Sequence, residues 1–329
     1  MSPPAATKWP VDVTCLGIIV ADVFARPVRA LPNPGGLHLV EDIALRGGGC
    51  ALNTATTLAR LGLSVALAGK LGTDAFGDYL AHLADARGLG CAFLVRDERS
   101  MTSASIVLVD EGGERSFLHL PGANGSLTSG DINRQAIFRG RALHIGGALV
   151  MPEFDGEPTA ELLAEAREHG LFTSVDTVWD DSANWHRINR SLDGLDLFAP
   201  SIAEARAITG AYDVPAVASE LRKRGVREVV LKLGAGGSYA DSDDFEGYIE
   251  PFVVDVVDET GAGDAFMAGL LYGRLAGWSL VEAARFGNAA GALATTEVGA
   301  TEALLTIDSV LELEKWSEMH EATPESPGC

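Results

Sequence analysis

VVDETGAGDAFMAGLL, residues 256–271, joins an extended apolar stretch to an apolar helix through two glycines set two positions apart. Glycines this close together loosen the backbone at a conformational cost, so the geometry they permit has to matter. With glycine at 261 and 263, successive peptide N–H groups can converge, and a helix starting at Asp264 leaves its first amides without internal partners. The amides of Gly261, Ala262 and Gly263 then form a nest for an anion, and the Asp264 carboxylate lies within reach of a hydroxyl held in front of it. Aspartate also caps helices well, and short glycine motifs are common. Taken alone the segment reads better as a capped helix after a turn, so the rest of the chain decides.

Working outward, strands and helices alternate. Residues 13–20 are an apolar run of strand type that ends at Asp22, and ALNTATTLARLG (51–62) is a helix closed by glycine. SVALAGKLG (64–72) is a buried strand and DAFGDYLAHLADARG (74–88) the next helix; Gly72, Asp74 and Gly77 read as a tight strand-to-helix turn. The alternation resumes at ALHIGGALV (142–150) and continues through a helix at 159–170, strands at 171–178 and 195–201, helices at 202–210 and 215–225, and a strand at 227–234. This pattern predicts an α/β fold, an open, mostly parallel sheet with helices on both faces, whose ligands bind outside the carboxyl ends of the strands.

The rhythm breaks once. TSASIVLVDEGGERSFLHLPGA (102–123) reads as two strands joined by a turn, and a hairpin without a following helix has no place in a wound parallel sheet. Together with a short strand near 37–45 it is assigned to a small β layer, a lid. The expected division is an α/β body at 12–36, 47–101 and 123–318, the lid at 37–46 and 102–122, and a loose tail at 319–329.

Composition bounds the partners. A formal net charge of −21 argues against a nucleic-acid or anionic-membrane surface, so a phosphate ligand needs a local positive site such as a helix N-terminus or a bound cation. Four cysteines without a CxxC pair or a Cys/His cluster point to a reduced, cytoplasmic setting. The first residues lack the apolar core of a signal peptide, and no apolar run approaches the length of a membrane span.

Several segments, in order, resemble the ribokinase-like (PfkB) carbohydrate kinase family over about residues 14–303. The segment Asp258-Glu259-Thr260-Gly261-Ala262-Gly263-Asp264 is similar to the family's D-T-x-G-A-G-D signature, with Glu259 as a departure. RGGGCALNTATTLARLG resembles its glycine pair, asparagine and A-R-L-G helix; the match implies that Gly48, Gly49 and Asn53, with Asp22, contact sugar hydroxyls. Cys50 stands where ribose-phosphorylating members carry a lysine. APSIAEA resembles the N-x-x-E segment with Ser201 in place of asparagine, which implies that Glu204 positions Mg²⁺ and phosphates through water. VLKLGAGGS implies Lys232, Gly234 and Gly237 near ATP, and FGNAAGALATTEVGA implies Asn288 on the adenine side. Asp258 and Thr260 match two ligands of the K⁺ or other monovalent cation that the family often binds beside the nest. Arg115 and His119 fall on one face of a lid strand and are candidates to reach the sugar; Asn124 is another.

The resemblance implies ATP- and Mg²⁺-dependent phosphorylation of a hydroxymethyl group on a sugar or sugar acid, with Asp264 as general base and the amides of Gly261–Gly263 as anion hole. A nucleoside kinase on the same body is the alternative acceptor class, and a catalytically silent sugar-binding regulatory protein the alternative function. An open β layer leaves edges to cover, so a homodimer through the lid is expected.

Overall fold

The computed structural model describes residues 11–179, 184–301, 303 and 305–321. In chain order the strands are β1 (Val11–Gly17), β2 (Val20–Arg26), β3 (Asp42–Gly48), β4 (Val65–Gly72), β5 (Gly90–Asp97), β6 (Ala104–Val109), β7 (Arg115–Leu120), β8 (Gly140–Ala148), β9 (Phe172–Thr177), β10 (Leu197–Phe198), β11 (Glu228–Lys232), β12 (Ser238–Asp241) and β13 (Glu246–Ile249). Nine of them form one sheet in the order β13-β12-β11-β10-β9-β8-β1-β4-β5, parallel from β11 to β5 with an antiparallel edge at β12 and β13.

Both faces of that sheet are covered, which is why its central strands are apolar throughout; β4 is buried at every position. The helices Cys50–Arg60, Ala262–Leu275 and Leu280–Ala294 bury Leu52, Leu58, Met267, Leu270 and Phe286 against one face. The helices Glu157–Glu168, Ile202–Thr209 and Val214–Lys223 bury Leu162, Ile208 and Leu221 on the other. Each such side chain contributes about 1.5–3 kcal/mol by leaving water. Asp74 caps the helix Ala75–Ala86, accepting from Gly77 N at 2.9 Å, and also accepts Thr102 N at 2.7 Å, the turn-forming role expected of it.

The small sheet has four strands in the order β3-β2-β6-β7, with β2 antiparallel to β3 and parallel to β6. Its composition corrects two expectations. The apolar run 13–20 is not one strand: β1 ends at Gly17, whose Cβ, if present, would lie 1.9 Å from Gly146 O, and the chain turns through Ile18 and Ile19 into the small sheet as β2. Residues 20–26 therefore pair in the small sheet and not in the body. Second, the strand expected at 37–45 is displaced to Asp42–Gly48, because the hydrogen-bond partners that fix it lie on β2. The tail expected from 319 overlaps the helix Ile307–Glu321; residues 322–329 lie outside the described residues.

Candidate active site

The 256–271 segment lies where the body meets the small sheet. Gly261 caps the helix Ala262–Leu275 at φ +78°, a left-handed conformation suited to glycine, and a Cβ there would meet Ala300 O at 2.4 Å. The helix thus starts two residues before Asp264, which is its third residue. Of the three amides expected to form the nest, Ala262 N closes a turn onto Glu259 O at 3.2 Å. The first-turn amides of Gly263 and Asp264 precede any carbonyl the helix offers them.

Asp264 is buried, and Asn53 Nδ2 on the helix Cys50–Arg60 donates to its Oδ2 at 2.8 Å. Burial pushes the Asp264 carboxyl above its usual range, while Asn53, the Lys232 charge and the Cys50 thiol pull it back toward the carboxylate. The Asn53 Oδ1 is buried without a hydrogen-bond partner, an acceptor left unsatisfied beside Asp264.

Opposite the first turn, Lys232 at the end of β11 points its ammonium at the nest: a Cβ on Gly263 would lie 3.4 Å from its Nζ. Asp176, on β9, holds Nζ at 2.8 and 3.0 Å. Burial opposes the Lys232 charge, but the carboxylates of Asp176, Glu204 and Asp264 outweigh it and raise its pKa; burial pushes Asp176 itself up to about 7. Glu204 is buried at the start of the helix Ile202–Thr209, where its Oε2 accepts Ser201 N and Oγ at 2.8 and 2.7 Å in a capping box. Both bonds go to one oxygen, which leaves Oε1 for water.

A cavity of about 390 Å³ opens on the far side of the nest, lined by Lys232, Gly234, Gly237, Phe252, Gly263 and Asn288 among others. Asn288 donates through Nδ2 to Ile249 O and Glu250 O at 3.2 and 3.0 Å, so it fixes the chain after β13 that forms one wall.

The small sheet closes the other side. Asp22, Ser105 and His119 are lateral neighbours on β2, β6 and β7, and Ser105 Oγ lies 3.1 Å from His119 Nδ1. A Cβ on Gly48 would sit 2.1 Å from Asp22 Oδ2, so the glycine pair brings bare backbone against this carboxylate; burial raises Asp22 to about 6, opposed by its bond to Ser105. Gly49 caps the helix that carries Asn53. Arg115, on the same face of β7 as His119, reaches across to form an ion pair with Asp258 Oδ1 in the body. Asn124 does not face a ligand: its Oδ1 accepts Ile19 N and its Nδ2 donates to Ile19 O, pinning the β1–β2 turn.

Asp264, Asn53, Lys232 and Glu204 thus converge, with Asp22 and Gly48 at the small-sheet side and Gly234, Gly237 and Asn288 around the cavity. Sequence reading missed Asp176, although it stands at the carboxyl end of a parallel strand, where ligands of such sheets bind. It also assigned no chemistry to Cys50, whose thiol helps hold the Asp264 carboxyl toward its ionised form.

Residues 11–307 match the sequence model of the pfkB family of carbohydrate kinases. The chain belongs to that family. It is a carbohydrate kinase, a transferase acting on a sugar or sugar acid. Among curated relatives, fructokinase-1 of Zea mays is 31% identical over 301 residues, covering 86% of this chain and 93% of that protein. The 2-dehydro-3-deoxygluconokinase of Bacillus subtilis (strain 168) is 30% identical over 285 residues, covering 83% and 87%. The crystal structure of fructokinase with bound ATP from Xylella fastidiosa superposes with a TM-score of 0.80 at 26% identity, covering 93% of this kinase and 99% of that chain. A ribokinase-like fold is shared with the ribokinase of Arabidopsis thaliana, at a TM-score of 0.80 and 24% identity over 93% and 99% of the chains. No helix among the described residues of the kinase is long and apolar enough to cross a membrane.

Proposed function

We propose that this kinase transfers the γ-phosphoryl group of ATP to a hydroxymethyl group of a ketose or a 2-keto-3-deoxy sugar acid. The observation that carries the reading is the placement of Asp264: a buried carboxylate of raised pKa on the first turn of a helix, beside an ammonium, between a cavity of nucleotide size and a small-sheet wall of polar groups. Asn53 Oδ1, Asp22 and the Gly48–Gly49 backbone hold the acceptor's hydroxyls. The attacking oxygen gives its proton to Asp264 as the bond to the γ-phosphorus forms and the bond to ADP breaks. The negative charge on the transferred group is met by the first-turn amides and by Lys232. Mg²⁺ neutralises phosphate charge when bound, and Glu204 is the residue that would hold it, through water. Structural neighbours with ATP, and with ATP and Mg²⁺, support the use of both.

The acceptor class rests on the fructokinase and 2-dehydro-3-deoxygluconokinase relatives. A nucleoside remains the second reading, favoured by Phe117, a residue 61% exposed on the same face of β7 as His119, where its ring can stack a base. Dimerisation through the small sheet is supported by a row of apolar side chains on its opposite face, Leu45, Val23, Ile106 and Leu118, three of them at least 37% exposed. ADP release measured with fructose, 2-dehydro-3-deoxygluconate, ribose and adenosine tests the assignment. Turnover with one of the first two, abolished in Asp264→Asn, is the expected result; turnover with adenosine alone would overturn it.

A further inference from the structure

Two arginines of the small sheet reach the body: Arg46 donates to Val298 O at 2.9 Å, and Arg115 spends its charge on a buried carboxylate. Its guanidinium pairs with Asp258, three residues before the glycine that caps the nest helix, and the Arg115 side chain is 19% exposed and that of Asp258 2%. The same carboxylate organises the main chain around the nest: Oδ1 accepts Thr260 N at 2.8 Å and Oδ2 accepts Gly299 N at 2.7 Å. Asp258 thus ties the segment leading into the nest to the 296–300 turn that packs on Gly261. A carboxylate so deeply buried needs a counter-charge.

The sequence resemblance assigned that counter-charge to a monovalent cation bound by Asp258 and Thr260. The geometry does not fit it. Both carboxylate oxygens already accept N–H donors, and a metal cation bound at Asp258 would sit beside a guanidinium of the same sign. Thr260 directs its amide at the same carboxylate.

We propose that Arg115 is the built-in cation of the nest: its guanidinium occupies the place at Asp258 that a monovalent ion would take, and phosphoryl transfer by this kinase requires no such ion. Because Arg115 belongs to β7, the charge arrives with the small sheet, so the nest is electrostatically complete only when that sheet lies over the body. The role of the nest in transfer rests on the function proposed above; the occupancy of Asp258 by Arg115 does not.

Two readouts test this on the full chain. In K⁺, Na⁺ or choline chloride at equal ionic strength, the thermal midpoint of the wild-type protein is expected to be the same, and sugar-dependent ADP release to vary by no more than about twofold. Arg115→Met is expected to lose ~10²-fold in turnover, the scale of one lost charge-stabilising group, to regain part of it in K⁺ but not in choline, and to gain a K⁺-specific rise in midpoint. Arg115→Lys should retain more turnover than Arg115→Met and remain indifferent to K⁺. A K⁺-specific rise in the wild-type midpoint, or a wild-type rate more than about tenfold higher in K⁺ than in choline, overturns the proposal. The wild-type salt comparison decides it even if Arg115→Met does not fold. Should no acceptor be phosphorylated, the functional reading fails, while the midpoints still decide whether Arg115 occupies the cation's place.

Discussion

Asn53 Nδ2 donates to Asp264 Oδ2 across 2.8 Å, although 211 residues separate them in the chain. The bond joins the helix that follows the glycine pair to the helix that carries the nest, so the acceptor side and the phosphoryl side share one hydrogen bond. Because the amide favours the ionised carboxylate, it lowers an Asp264 pKa that burial raises. A general base works deprotonated, so turnover is lost as pH falls through its pKa. Asn53→Ala is therefore expected to move the acidic limb of the kcat profile to higher pH as well as to raise KM for the sugar. A limb that stays in place while only KM changes would mean that Asn53 acts on substrate alone.

Asp264→Asn separates activity from stability. Loss of the base should cost ~10²–10⁴-fold in turnover. In the folded protein the Asp264 pKa lies above its unfolded value, so the buried charge costs stability at every pH above the ordinary carboxylate range and costs nothing well below it. Asparagine keeps an oxygen to accept from Asn53 and carries no charge. The variant should unfold at a midpoint higher by on the order of 2 °C at pH 8, with the difference vanishing in acid. Scanning calorimetry across pH reads both limbs.

Lys232 and Asp176 form a buried pair, with side chains 15% and 2% exposed. Removing one partner strands the other, at a typical cost of about 3–5 kcal/mol, whereas replacing both is often close to neutral. Lys232→Met should lose both stability and ~10²–10³-fold in kcat, as for other lost donors at developing charge. Adding Asp176→Asn to Lys232→Met should restore much of the stability and none of the kcat. Recovery of kcat in the double variant would show that Lys232 acts only by neutralising Asp176.

The body was legible because parallel strands covered on both faces leave apolar runs between helices, and because the glycine motif and the Asn53 helix are local in sequence. What was lost had long-range causes. Between Val13 and Val20 only Gly17 marks the turn that follows it, and the close approach that requires a glycine there is set by Gly146 and Asn124, more than a hundred residues away. β12 and β13 went unread because each has four residues, too few to establish a period. The start of the nest helix was read two residues late, since its cap is a left-handed glycine and not a polar side chain. Asp176 and Arg115 acquire meaning only from their partners, Lys232 and Asp258, which no spacing in the chain reveals.

Gly263 offers the sharpest separation of folding from chemistry. It is the second residue of the helix Ala262–Leu275, where alanine is favoured over glycine by up to ~1 kcal/mol. A methyl group there would meet nothing closer than Lys232 Nζ at 3.4 Å, an ordinary contact with the end of a flexible side chain. Gly263→Ala should therefore fold at least as stably as the wild type. The methyl group, however, fills the gap between the first-turn amides and the ammonium, which is the volume that a transferred phosphoryl group needs. Turnover should fall by ~10²-fold or more, as when a reacting group is displaced by about 1 Å, with the circular dichroism spectrum and midpoint preserved. Wild-type turnover in Gly263→Ala would place the transferred group elsewhere and remove the nest from the mechanism.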